Sequence, residues 1–248
     1  AEADKAGRAL AAMQTSFKPV GKRALDPGLV ALDEAARRGM LAGMEVRRPA
    51  LSRSGFYVSG AGAVLTTTDV LQNCTRLTID RDIEADLTFR DDALGLALLT
   101  PHTPLAPRQI AAFAAQPARI GSEIAIAGYS YEDALPSATL TFGAMEDTKG
   151  LAGEPGLNRL SVAALPGDAG GPVINASGSV LGMLLPRRPN DGRVLPDEVA
   201  FATSGAVIAA RLTEGGLAPQ MDGRGGAMAP EDLTDLATRM TVLVSCWN

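Results

Sequence analysis

The rhythm of polar and apolar positions changes near residue 46. Before it the chain reads as helical. Leu10, Met13 and the alanines around them share one face, and "LDPGLVALDEAARRGML" opens with Asp26 as a cap and Pro27 at the first helical position. Acidic residues come early in that stretch and Arg37 and Arg38 late, as a helix dipole favours. From Val46 onward, short β-branched or aromatic runs alternate with Gly, Asn, Asp and Pro: "SGFYVSG", "GAVLTT", "RLTID", "ADLTFR", "LALLT", "EIAIAGY", "ATLTFGAM", "RLSVAAL", "PVINASGSVLGMLLP" and "EVAFATS". That pattern predicts about ten strands at regular spacing, an all-β sandwich or barrel. "AVIAARLTEGG" predicts a short helix, and the Gly- and Pro-rich "TEGGLAPQMDGRGGAMAPED" a loop. A last helix begins near Pro230, and "MTVLVSCWN" alternates like a strand. The expected organisation is a helical extension (1–45), a β domain (46–215) and a C-terminal tail (216–248) that returns to it.

Composition narrows the function classes. The 248 residues are 46% hydrophobic and 21% charged, an ordinary globular balance, and only 4% aromatic. A net charge of −5 argues against nucleic acid, which needs clustered positive charge. No apolar run reaches the roughly 20 residues of a membrane-spanning helix. The opening "AEADKAG" has the look of a terminus left after cleavage at a small-residue site, which predicts an exported protein. Cys74 and Cys246 are far apart, form no CxxC motif and make too few ligands for zinc, so no metal and no cofactor is expected. Two readings stay open for them: separate buried thiols, or one long-range disulfide and an oxidising compartment.

Four stretches carry chemistry. "SGFYVSGAGAVLTTTDVLQNC", "DDALGLALLTP", "LPGDAGGPVINASGSVLGMLL" and "EVAFATSGAVIAARL" stand in this order along residues 50–212. Together they resemble a bacterial trypsin-like serine peptidase of the chymotrypsin fold, nearer its HtrA-like branch. The resemblance implies two six-stranded antiparallel β-barrels. It also implies a serine nucleophile, a histidine base and an aspartate that orients the histidine. Laid on this sequence, the histidine slot falls on Asp69, the aspartate slot on Gly95 and the serine slot on Ala169. Asp91 and Asp92 lie a few residues before Gly95, within reach of a loop shift. The only histidine, His102, sits in the turn "TPHTP", away from the motif. Without an imidazole, a hydroxyl near the site lacks a base of suitable pKa. The expected protein is a non-catalytic homologue, a pseudoprotease.

The resemblance also implies what remains. Gly167, Asp168 and Ala169 correspond to the loop whose amides form the family's oxyanion hole, and two readings stay open for Asp168: a pairing with a buried backbone amine or amide, as in the family, or a surface role. Ala163, Met183 and Leu184 correspond to a specificity pocket that is here small and apolar. Cys74 and a C-terminal Cys246 resemble a pairing in some bacterial members, which implies a Cys74–Cys246 bond across the first barrel, with Trp247 beside it. Three functions follow as expectations: a protein-interaction or accessory subunit of the bacterial cell envelope, periplasmic or secreted; a module that holds peptides in the old cleft by β-augmentation; and a residual hydrolase. An accessory scaffold should fill its cleft with its own side chains, whereas a peptide binder should leave it open.

Overall fold

The structure, a computed structural model, describes residues 2–16, 40–41, 44–45, 47–187, 195–223 and 225–248. The chain divides into two compact units, residues 1–48 and 49–248. In the first, helix α1 (Glu2–Ser16) realises part of the expected helical extension, with Leu10 and Met13 exposed. The helix expected from Asp26 lies mostly outside the described residues. Its end differs from expectation: β1 (Met40–Leu41) and β2 (Met44–Glu45) pair antiparallel, so the backbone there bonds from strand to strand and not along a helix.

The second unit carries β3 (Leu51–Tyr57), β4 (Val64–Thr67), β5 (Arg76–Ile79), β6 (Ile83–Asp91) and β7 (Leu96–Pro101). It continues with β8 (Ala112–Ala114), β9 (Glu123–Gly128), β10 (Thr139–Lys149), β11 (Pro155–Ser161), β12 (Pro172–Asn175), β13 (Val180–Leu184) and β14 (Val199–Ser204). Helix α2 (Gly205–Glu214), β15 (Gln220–Asp222), helix α3 (Pro230–Met240) and β16 (Thr241–Trp247) complete it. All ten expected runs form strands, one of them a hairpin of two. The short β8 and β15, which pair in parallel, had no clear signal.

Two barrels result. The first closes in the order β16-β3-β4-β7-β6-β5. The second runs β12-β9-β10-β11-β14-β13 and closes through a β12–β13 pairing, with β8 and β15 added at its side. The closing strand of the first barrel is thus the C-terminal one. Alternation explains why β16 fits: Val242, Val244 and Cys246 face the barrel interior with Val64, Val70, Ile79 and Leu99. Its register to β3 pairs Thr241 with Phe56 and Cys246 with Leu51, and to β5 pairs Cys246 with Leu77. Without β16, β3 and β5 would be open edges.

A second cluster fills the other barrel around Ile126, Met145, Leu160 and Val173. A third joins the barrels through Phe56, Leu65, Ile174 and Met183, and receives Ile208 and Leu212 of α2 and Leu233 and Ala237 of α3. Helix α2 starts at Ser204, whose hydroxyl accepts the Val207 amide. Phe56 and Phe113 meet at 6.5 Å with their planes tilted by 59°, an edge-type arrangement that aromatic rings favour. Cys74 and Cys246 form a disulfide, Cα–Cα 5.4 Å, as one of the two sequence readings expected. Trp247 lies beside it, donating its Nε1–H to Thr78 Oγ1 at 2.9 Å under the Arg76 guanidinium.

Candidate functional site

Four hydrogen bonds draw the distant motifs together where the barrels meet. Thr68 N donates to Gly95 O at 3.2 Å, which ties the 3-10 turn Thr68–Leu71 to the start of β7. Ser54 N, on β3, donates to Ala169 O at 2.9 Å across the barrel junction. Ser54 Oγ donates to Gly167 O at 2.7 Å and accepts from Tyr129 N at 2.8 Å. Arg53, Gly95 and Ala169 consequently line one cavity of about 660 Å³.

The residues on the three expected slots have distinct surroundings. Asp69 accepts Arg53 Nε at 2.8 Å and Thr67 Oγ1 at 2.5 Å. The Arg53 and Asp69 side chains are 13% and 19% exposed, so the pair is largely desolvated and each charge depends on the other. Gly95 has φ +70, and a Cβ there would meet Leu185 Cδ2 at 2.9 Å, so an aspartate at this place would be strained. Ala169 presents a methyl group and is 2% exposed. Asp91 accepts the Leu94 amide and pairs with Arg211, and Asp92 pairs with Arg90. Neither lines the cavity. His102 follows β7 on the outside of the first barrel, with Nε2 3.1 Å from Asp86 and Nδ1 3.6 Å from Glu84. Tyr57 and Tyr129 have pKa values pushed up to about 12 by burial and the nearby Asp80 charge, so both phenols stay protonated at neutral pH.

Residues 53–183, more than half of the chain, match the Trypsin-like peptidase domain. The chain belongs to the trypsin-like peptidase domain family. Serine protease Rv3671c of Mycobacterium tuberculosis H37Rv is 27% identical over 193 residues, covering 72% of this chain and 45% of that protein. Uncharacterized protein y4bJ of Sinorhizobium fredii is 25% identical over 205 residues, 78% of this chain and 32% of that protein. The chain therefore spans less than half the length of these curated relatives. Among solved structures, an inactive form of Rv3671c, a serine-to-alanine mutant, superposes with a TM-score of 0.53 at 24% identity, covering 68% of this chain and 84% of that one. A serine endoprotease from Yersinia pestis gives 0.51 at 20% identity, covering 65% of this chain and 56% of that one. These likenesses establish the shared double-barrel fold.

Within the trypsin-like frame, the loop corresponding to the oxyanion hole is a closed 3-10 turn, Pro166–Asp168. Asp168 N donates to Leu165 O at 3.0 Å, Ala169 N to Pro166 O at 3.4 Å and Gly170 N to Leu184 O at 2.8 Å. Three successive amides are thus turned to carbonyls of the protein itself. Asp168, 1% exposed, fixes the turn: its carboxylate accepts Leu165 N at 2.8 Å and Ser130 Oγ at 2.6 Å. The expected buried amide partner is therefore that of Leu165.

Burial raises the Asp168 pKa, against the two hydrogen bonds that lower it. Between the unfolded value of 3.8 and this raised folded value, the folded state binds more protons than the unfolded one. Stability then falls as pH rises through that window, and the ionised carboxylate is a net cost at neutral pH. Asp168→Asn keeps an acceptor for Leu165 and removes the titration. Its stability relative to wild type is expected to improve as pH rises above about 4 and to level off once the folded carboxylate is ionised, read from urea midpoints. Parallel stability curves would show that Asp168 does not titrate this way.

The pocket expectation divides. Ala163 and Leu184 line the cavity with Leu94, Leu157, Leu185 and Phe201. Met183 does not: it is fully buried in the cluster that joins the barrels. Successive residues of a strand face opposite ways, so Leu184 on the wall turns Met183 to the core. Charges stand among the other lining residues: Arg53, Glu154, Arg187 and Asp197, with Arg187 bound to Asp197 at 2.8 Å. Sequence reading missed Arg53. Its only signal is a lone charge in the otherwise uncharged strand "LSRSGFY".

Proposed function

We propose that this chain is a non-catalytic trypsin-like domain that holds an extended peptide in the former substrate cleft, in the periplasm or outside the cell. The observation that carries the reading is that Asp69, on the histidine slot, is bound to Arg53, while Ala169, on the serine slot, offers a methyl group, where peptide hydrolysis needs a base and a nucleophile. The chain's one histidine is engaged with Glu84 and Asp86, at the end of the β6–β7 pair opposite to the 93–95 turn that lines the cavity. No thiol is available either, since both cysteines are paired.

An open cavity of about 660 Å³ with a mainly aliphatic wall favours peptide binding over a scaffold that fills its own cleft. The disulfide supports an oxidising compartment. An accessory role in a larger envelope assembly remains compatible with this reading, the peptide then being a segment of the partner.

The test is equilibrium binding of an acetylated and amidated hexapeptide carrying leucine at its third position, with mass spectrometry of the recovered peptide. Wild type is expected to bind it and return it uncut. Ala163→Phe, which fills the pocket, is expected to weaken binding at least about tenfold, or about 1.4 kcal/mol. Ala169→Ser is expected to leave every peptide bond intact, because a hydroxyl alone has no base. Cleavage by either the wild type or the serine variant would overturn the non-catalytic reading, and undiminished binding by Ala163→Phe would remove the cleft from it.

A further inference from the structure

Several main-chain donors beside the cleft are turned to the protein itself, and one side chain that lines it has a donor to offer. The amides of Asp168, Ala169 and Gly170 are committed to Leu165, Pro166 and Leu184 carbonyls. Beside them, Leu184 N donates to Gly171 O and Leu185 N to Phe201 O, and Pro186 has no N–H at all. A peptide laid along 184–186 therefore finds no free donor there for a ladder bond.

Arg53 has donors to spare. Its Nε is bound to Asp69 Oδ2, and Nη1 donates to Ser52 O at 3.0 Å with Glu132 Oε1 3.8 Å away. Nη2 makes no hydrogen bond among those seen between described residues. No buried side-chain nitrogen or oxygen among the described residues lacks a hydrogen-bond partner. Nη2 is therefore the accessible edge of a side chain that lines the cavity.

We infer that Arg53 is the ligand-binding donor of this cleft, and that it holds the neutral main-chain carbonyl of an uncut peptide segment and not the carboxylate of a chain end. The inference rests on the peptide-binding reading above and specifies its ligand. Charge decides between the two ligand chemistries. Asp69 already neutralises the guanidinium at 2.8 Å, and Glu132 adds a second carboxylate at 3.8 Å. A terminal carboxylate would be a third negative charge around one cation, at a partly desolvated position. A peptide carbonyl takes the Nη2–H bond without adding charge, and a bond from a charged donor is stronger than one from a neutral amide. The Asp69 pair also fixes the guanidinium plane, so the donor is held in place before the ligand arrives.

Glu132 belongs to the same arrangement. It sits at φ +57, in the 3-10 turn Glu132–Ala134, a conformation that non-glycine residues rarely adopt. Its carboxylate, about half exposed, faces the Nη1 side of the guanidinium and leaves the Nη2 side to the ligand.

The experiment compares three probes by calorimetry on the whole chain: the capped hexapeptide above, and its first three residues ending either in a free carboxylate or in an amide. Wild type is expected to bind the amide-ended tripeptide at least about tenfold more tightly than the carboxylate-ended one, and the hexapeptide most tightly. Arg53→Lys keeps a cation beside Asp69 and loses the fork, and is expected to weaken hexapeptide binding at least about tenfold. The comparison of the two tripeptides uses wild type alone, so it holds even if the lysine variant does not fold. Tighter binding of the carboxylate-ended tripeptide would overturn the neutral-carbonyl inference. Equal hexapeptide affinity in folded Arg53→Lys would overturn the role of Arg53 while the peptide-binding reading stands. Absence of binding by all three probes to wild type would overturn that reading, and this inference with it.

Discussion

Replacing both cysteines by alanine is expected to lower the unfolding free energy by about 5 kcal/mol. The crosslink joins residues 172 positions apart, so it removes nearly all of the chain-closure freedom of the unfolded state. In the chain-entropy account, the cost of a loop grows with the logarithm of its length, which gives that figure. The strand it secures is the one that closes the first barrel between β3 and β5. Cys246 is wholly buried beside Val244 and Tyr57, so alanine leaves only a small void and no unpaired polar group. For a domain of this size the loss corresponds to a fall in Tm of roughly 10–20 °C. Calorimetry with and without reductant checks it: wild type under reductant should match the double variant, which should itself ignore reductant. A fall of less than about 3 °C would mean that the β16 ladder alone holds the barrel closed.

Gly170→Ala is expected to cost about 3–4 kcal/mol, for a different reason. Gly170 has φ +87, a region costly for any residue with a Cβ. An added Cβ would overlap the Ser54 carbonyl oxygen and lie 2.9 Å from Thr66 Oγ1. That carbonyl already accepts Thr66 Oγ1 at 2.7 Å, so β3 cannot yield without breaking a buried hydrogen bond. The strand that would have to move carries Arg53 and is bonded to Ala169 through Ser54. Loss of stability and loss of cleft geometry should therefore appear together. Gly60→Ala, where a Cβ has open space, is the control and should stay within about 0.5 kcal/mol. Urea unfolding of the two variants measures the contrast, and equal midpoints would refute the steric account.

Much of this protein was legible in the order of its residues. Short β-branched or aromatic runs marked the strands, because such side chains pack well on a pleated, half-buried surface. The punctuation by Gly, Asn and Pro marked where those strands end. Pro230 followed by Glu231 and Asp232 marked the start of α3, since a first helical turn tolerates proline and favours acids. The resemblance of the four motifs implied two barrels and laid Asp69, Gly95 and Ala169 on the three slots.

What the sequence left undecided were the meetings of residues far apart in it. Alternation in "TVLVSCW" makes a strand, but the same pattern would suit several edges; only the barrel geometry seats it between β3 and β5. In "VLGML" every residue is apolar and buried, so no pattern tells Leu184 on the cavity wall from Met183 in the core. Arg53 and Asp69 are 16 residues apart, and their union depends on the 3-10 turn after β4 folding back on β3. The inward turn of the Asp168–Gly170 amides is likewise set by carbonyls of the surrounding fold. Local pattern reports which face of an element avoids water; hydrogen bonds and ion pairs depend on a few ångströms of placement that only the assembled barrels define.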